Sequence, residues 1–121
     1  MRVYIAAPWT RKAEAQYAAD QCVAAGLRVS STWHGPDHPD TTDPAELQRQ
    51  ARHDINGVTW ADALIILNLE KSEGKATEMG FALGLGMPVV AVGNRSNNIF
   101  YHLPEVRIVD TIEEAINALR G

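Results

Sequence analysis

An α/β chain built on a doubly wound, five-stranded parallel sheet is predicted by three observations. Strand-like and helix-like segments alternate along the whole sequence. The first, third and fourth strand-like runs are the most apolar, while the second and fifth read as edges, which matches the strand order 2-1-3-4-5 with helices on both faces. No repeat, low-complexity tract or linker breaks the pattern, and 121 residues suit one domain, taken as residues 1–121.

The elements follow in order. Arg2–Ala6 (RVYIA) is a short apolar run stopped by Pro8, a strand by length and by its Val, Tyr and Ile content. Residues 11–25 are Ala-rich, with Ala15, Ala18, Cys22 and Ala25 at helical spacing and Gly26 where a helix stop belongs. Residues 27–32 alternate like a half-exposed strand, and residues 33–42 form a polar loop with two of the prolines. Asp43 then caps a helix, Pro44 takes its first position and Glu46 reaches back to the cap; its apolar stripe is Leu47, Ala51 and Val58, with Ile55 alongside.

Residues 63–68 (ALIILN) are apolar without alternation, a strand covered on both faces. Residues 75–86 are helical, residues 88–92 another buried strand, and Val106–Val109 a weaker one. Asp110, Thr111, Ile112 and Glu113 repeat the capping signal and open a last helix with Ile112, Ala115, Ile116 and Leu119 facing inward. Tyr17, Met79, Phe81 and Met87 read as core.

Composition excludes several functions. Apolar residues are 45%, charged residues 21% and the net charge is −4, so no basic field exists to hold a nucleic-acid polymer. No apolar run approaches the roughly 18 residues of a membrane helix, and Pro8 interrupts the opening stretch before it resembles a signal peptide. The single cysteine, Cys22, fits a reducing, cytoplasmic setting.

In a doubly wound sheet, ligands bind beyond the carboxyl ends of the strands, near the switch point between the first and third. That places the chemistry at Ala6-Ala7-Pro8-Trp9, Thr32-Trp33-His34 and residues 68–75 and 93–98. Neither a G-x-G-x-x-G turn nor a P-loop is present; Gly80, Gly84 and Gly86 suit close packing and a helix stop. Two carboxylates break the pattern rules. Asp54 occupies an apolar stripe, where an unpartnered carboxylate is costly, and Glu78 falls in the first turn of the third helix, where the dipole favours an anion. Brought together, such a pair is the equipment for breaking a glycosidic bond; read blandly, Glu78 is a first-turn acid and Asp54 a solvated partner of Arg52 or His53.

Trp9 and Trp33, at strand ends, suit stacking on a base, though a buried tryptophan closing the sheet is an equal reading for either. His34, Asp37, His38 and Asp40 fit a solvated, Pro-rich loop better than a metal site, so neither a metal nor a cofactor is expected. This loop is expected to act as a lid over the pocket.

The segments Val3-Tyr4-Ile5-Ala6-Ala7-Pro8, Ala61-Asp62 and Ser72-Glu73-Gly74-Lys75-Ala76-Thr77-Glu78-Met79-Gly80 resemble the nucleoside 2-deoxyribosyltransferase family. Its close relatives include the deoxynucleoside 5′-monophosphate N-glycosidases. The resemblance covers nearly the whole chain and agrees with a Rossmann-like sheet. It implies a retaining mechanism in which Glu78 attacks C1′ of the deoxyribose, Asp54 handles the proton on the departing base, and the Tyr4 hydroxyl positions the nucleophile. The deoxyribosyltransferases usually carry an aspartate where this chain has Ser72; a serine there is similar to the monophosphate N-glycosidases, with Ser72 and the Gly74 amide placed to hold phosphate. Arg11 and Lys12 offset the acidic Glu70 and Glu73 nearby, or are ordinary surface cations.

Asn98 matches a family asparagine that reaches a neighbouring subunit's sugar, and reads equally as a turn residue. Ala6, Pro8, Trp9 and Trp33 complete the expected substrate-binding set. So short a chain leaves little material to enclose a nucleoside, which predicts a homo-oligomer with a shared active site. The expected outcome is transfer of deoxyribose to another base. Hydrolysis of a 5′-monophosphate is the runner-up, and a non-catalytic nucleotide sensor is the rival from another class.

Overall fold

The computed structural model describes residues 1–36, 40–93 and 98–121. Five strands, β1 (Arg2–Ala6), β2 (Arg28–Val29), β3 (Ala63–Leu67), β4 (Val89–Val92) and β5 (Val106–Val109), form one parallel sheet in the order β2-β1-β3-β4-β5. Helices α1 (Lys12–Ala24), α2 (Pro44–Trp60) and α3 (Glu73–Gly84) connect the first four strands, and α4 (Ile112–Arg120) follows β5. Helix α1 packs with α4 and α2 with α3, as right-handed crossovers on opposite faces require. Register runs Tyr4 to Leu64 and Ile65 to Val90, so the centre of the sheet is a block of Val, Ile and Leu. Every residue of β3 is buried, as its unbroken apolar run predicts. No helix among the described residues is long and apolar enough to cross a membrane.

Local departures from the sequence pattern have physical causes. The second strand is two residues long: the Ser30 N–H still donates to the Val3 carbonyl at 2.9 Å, but the Ile5 N–H donates to Ser31 Oγ at 3.0 Å instead of to the backbone of the second strand. Asp43 stands at the N-cap of α2 without a side-chain bond, and the reach-back of Glu46 is absent too: the Asp43 N–H donates to Thr41 Oγ1 at 3.1 Å, and Glu46 turns to Arg49 and Gln50. At α4 the reciprocal cap is shifted by one residue: Thr111 Oγ1 accepts from the Glu114 N–H at 3.1 Å, and Glu114, not Glu113, reaches back, to the Asp110 N–H. Gly86, at φ +75°, ends α3 as a helix stop, but Gly80 and Gly84 have open space where a Cβ would stand and serve no close packing. Met79 is core and Met87 packs against it, whereas Tyr17 and Phe81 are exposed. Leu47 and Ala51 also face outward, so the apolar stripe of α2 meets the core only at Val58.

Gly57 is the position where the fold needs a missing side chain. A Cβ there would stand 3.0 Å from the Ser30 carbonyl oxygen and 3.0 Å from Cε2 of Tyr4. Gly57→Ala should therefore push the Tyr4 ring off its seat. Overpacking of about 1–3 kcal/mol outweighs the gain of up to about 1 kcal/mol in helix propensity. A lowered urea midpoint is the expected result; a raised one, as at an exposed helix glycine, would contradict the contact.

Candidate active site

The site begins with the alternation of β1. Tyr4 is fully buried, and the face of the sheet that it occupies is covered by α2 and α3. Its ring lies against Gly57 of α2, and its hydroxyl donates to the Glu78 carboxylate on α3. Burial, then the charges of Glu78 and Asp54, push the Tyr4 phenol well above its ordinary range, so it remains a donor.

Glu78 lies in the second turn of α3, not the first, because Ser72 caps the helix earlier than the sequence pattern suggests: Ser72 Oγ accepts the Lys75 N–H at 3.2 Å. The dipole's influence falls off within the first turn. Burial governs instead and raises the Glu78 carboxyl to about 8, with donation from Tyr4 opposing and the charge of Asp54 adding to the rise. Asp54, on α2 one turn before Val58, is raised to about 6, again by burial, with His53 opposing. Each is half-buried. Between about pH 6 and 8 the pair therefore holds one proton. One ionised and one protonated carboxyl is the state that lets the same site attack a carbon and protonate a leaving group.

A cavity of about 530 Å³ borders Asp54 and takes in Trp9, Trp33, His34 and Gln50. The described part of the loop expected to act as a lid, through Trp33, His34, Gly35 and Pro36, lines it; Asp37 and His38 lie outside the described residues. The two tryptophans differ. Trp33 is 6% exposed and donates its Nε1–H to the Ile5 carbonyl at 2.8 Å, closing the sheet. Trp9 is 39% exposed, stands 5.9 Å from Trp33 between ring centres, bonds Asp40 through Nε1 and carries the Lys12 ammonium 4.6 Å from its own ring centre. Trp9 is thus the more exposed of the two rings. His34 is buried and tied to Ser31 and Gln16, each at 2.8 Å, which gives it a structural place. Among the described residues no cluster could hold a metal.

A second cavity, of about 560 Å³, is lined by Asn68, Ser72, Lys75, Asn98, Ile99 and Tyr101 among others. It gathers Ser72 and Asn98 from separate loops. Asn98 also caps a 3-10 turn, Ile99–His102, by accepting the Phe100 N–H at 2.9 Å. Gly74 is exposed in the first turn of α3. Ala6 has no accessible surface and Pro8 is buried, so both shape the strand end from within. Arg11 pairs with Glu14 at 3.0 Å and Glu70 at 3.5 Å, taking the role of an offset to the acidic loop. Sequence reasoning did not single out Gly57 or Lys75. Lys75 carried a signal all the same, since with Met79 and Ala82 it marks the buried stripe of α3.

The fold and the site together define a doubly wound α/β domain with a tyrosine-bound carboxylate at the switch point and a second carboxylate beside it. More particularly, the chain belongs to the nucleoside 2-deoxyribosyltransferase family, whose model matches residues 3–118. It is similar in fold to three solved structures. One is a CMP N-glycosidase, BcmB, from Clostridium botulinum, with TM-score 0.61 and 16% identity over 99% of this chain and 98% of that one. Another is a 2-deoxyribosyltransferase from the psychrotolerant Bacillus psychrosaccharolyticus, with TM-score 0.72 and 16% identity over 97% and 91%. The third is a conserved protein from Enterococcus faecalis V583, with TM-score 0.71 and 20% identity over 99% and 97%. No curated protein matches the chain.

Proposed function

We propose that the chain cleaves the N-glycosidic bond of a 2′-deoxynucleoside, or of its 5′-monophosphate, and transfers the sugar to another nucleobase. The observation that carries this reading is the Tyr4 hydroxyl donating to Glu78 while the charge of Asp54 acts on both. Glu78 attacks C1′ as the bond to the base breaks. The bonding pair leaves with the base nitrogen, which takes its proton from Asp54. Burial sets Glu78 above Asp54, so the shared proton favours Glu78; the reactive arrangement moves it to Asp54, and donation by Tyr4 favours the charge on Glu78. An incoming base then displaces Glu78 from C1′ and returns a proton to Asp54.

In this reading Trp9 and Trp33 border the base, and Ser72, Gly74 and Asn98 border the sugar and its 5′ group, with Ala6 and Pro8 supporting them. On the same reading a neighbouring copy completes the pocket, because Ser72 and Asn98 stand half-exposed on the loops that border it. Hydrolysis is the second reading: Ser72 in place of an acidic residue suits a 5′-phosphate, and the fold is similar to that of a CMP N-glycosidase. A panel of deoxynucleosides and their monophosphates, with and without an acceptor base, separates the two. Exchanged nucleoside supports transfer, free sugar or sugar phosphate supports hydrolysis, and release of no base from any substrate contradicts both.

A further inference from the structure

Among the described residues the buried polar side chains are Ser31, His34, Asn68 and Lys75. They form two pairs, one in the wall of each cavity. The first pair is neutral. The second contains an ammonium on a residue only 4% exposed, which is costly unless oxygen atoms meet it. The loop between β3 and α3 supplies them. Lys75 Nζ donates to Asn68 Oδ1 at 2.9 Å and to the Glu70 carbonyl at 2.7 Å, and its backbone N–H donates to Ser72 Oγ at 3.2 Å. Alternate residues 68, 70 and 72 thus each turn an oxygen toward one lysine. Glu70 faces the other way with its side chain, accepting from the Thr10 hydroxyl and standing 3.5 Å from Arg11 Nε.

We infer that Lys75 is a positioning residue: it shapes loop 68–72 around its ammonium and, through Glu70, ties that loop to the Trp9–Arg11 turn on the far side of the switch point. The inference rests on the reading of Glu78 as the nucleophile, which follows Lys75 by one turn of α3. Loop 68–72 walls the cavity that holds Ser72, so loosening it weakens substrate binding more than chemistry. The Tyr4–Glu78 contact is seated separately, against Gly57.

Lys75→Met keeps the apolar stem and removes the donors. Relative to wild type, KM for base release should rise at least about tenfold with kcat within about threefold, the signature of lost uniform binding. Without ligand, amide hydrogen exchange at residues 69–72 should quicken at least about tenfold, while β1 and β4 keep their protection. Asn68→Ala, a milder change that tests the same contact if Lys75→Met does not fold, should move both readouts in the same direction. Its effect on KM should vanish in a Lys75→Met background. A folded Lys75→Met with unchanged exchange, faster exchange with unchanged KM, or full additivity of the two substitutions overturns the inference. If the wild type releases no base from any substrate, the functional reading fails by itself, and the exchange result still decides whether Lys75 holds the loop.

Discussion

Glu78→Ala is expected to lower base release by at least about 10³-fold, because removing a covalent nucleophile leaves only binding and proton transfer. The fold should survive the change. Glu78 is half-buried and its carboxyl is raised to about 8 by that burial, so its ionised form opposes folding. The sign is set by proton counting. From the ordinary carboxylate range up to about pH 8 the unfolded chain binds fewer protons at this residue than the folded one, so its contribution to stability falls as pH rises. Glu78→Gln, which removes the titration and keeps the shape, should therefore show a higher thermal midpoint than wild type at pH 9 and a smaller difference at pH 5. Turnover that persists in either variant while the thermal pattern appears would place the nucleophile elsewhere.

Asp54→Asn carries the second large effect, a loss of about 10²–10⁴-fold in kcat/KM, the usual worth of a positioned general acid. The wild-type profile should be bell-shaped, rising near pH 6 and falling near pH 8, because only the singly protonated pair is competent. With asparagine at position 54 the falling limb should vanish, since no proton donor remains to be lost. The rising limb, now Glu78 alone, should lie below pH 8, because the Asp54 charge that helps raise it is gone. A sugar donor whose leaving group departs without a proton should be far less sensitive to the substitution. An unchanged bell in Asp54→Asn would remove Asp54 from the proton transfer.

The sheet order was legible in the chain because burial and composition are coupled in parallel sheets: the unbroken apolar runs of β1, β3 and β4 leave only β2 and β5 for the edges. The two carboxylates were legible for different reasons. Asp54 stood out as a charge on an apolar helical stripe, although most of that stripe faces outward. Glu78 stood out for a first-turn position that the structure does not give it. What one sequence cannot display is which of several competing bonds, distant or local, a side chain takes. Ser31 spends its hydroxyl on Ile5, which shortens β2; Glu46 chooses Arg49 over the cap of Asp43; and Ser72 starts α3 early, moving Glu78 beyond the dipole's first turn.

The same blindness hid Gly57, whose missing side chain matters only because Tyr4, far away in sequence, lies against it. Tyr17 and Phe81 illustrate the opposite error. Large apolar residues are core by habit, yet a small α/β chain has more apolar helix surface than one sheet can cover.

The most direct test of the central claim is the mass of the protein itself. Wild type mixed with excess deoxynucleoside, quenched in acid and digested, should carry one deoxyribosyl increment on the peptide containing Glu78. The increment should be absent from Glu78→Ala and should fall when an acceptor base is added before quenching. Steady base release with no increment on that peptide, or an increment on another residue, would contradict a covalent deoxyribosyl–Glu78 intermediate.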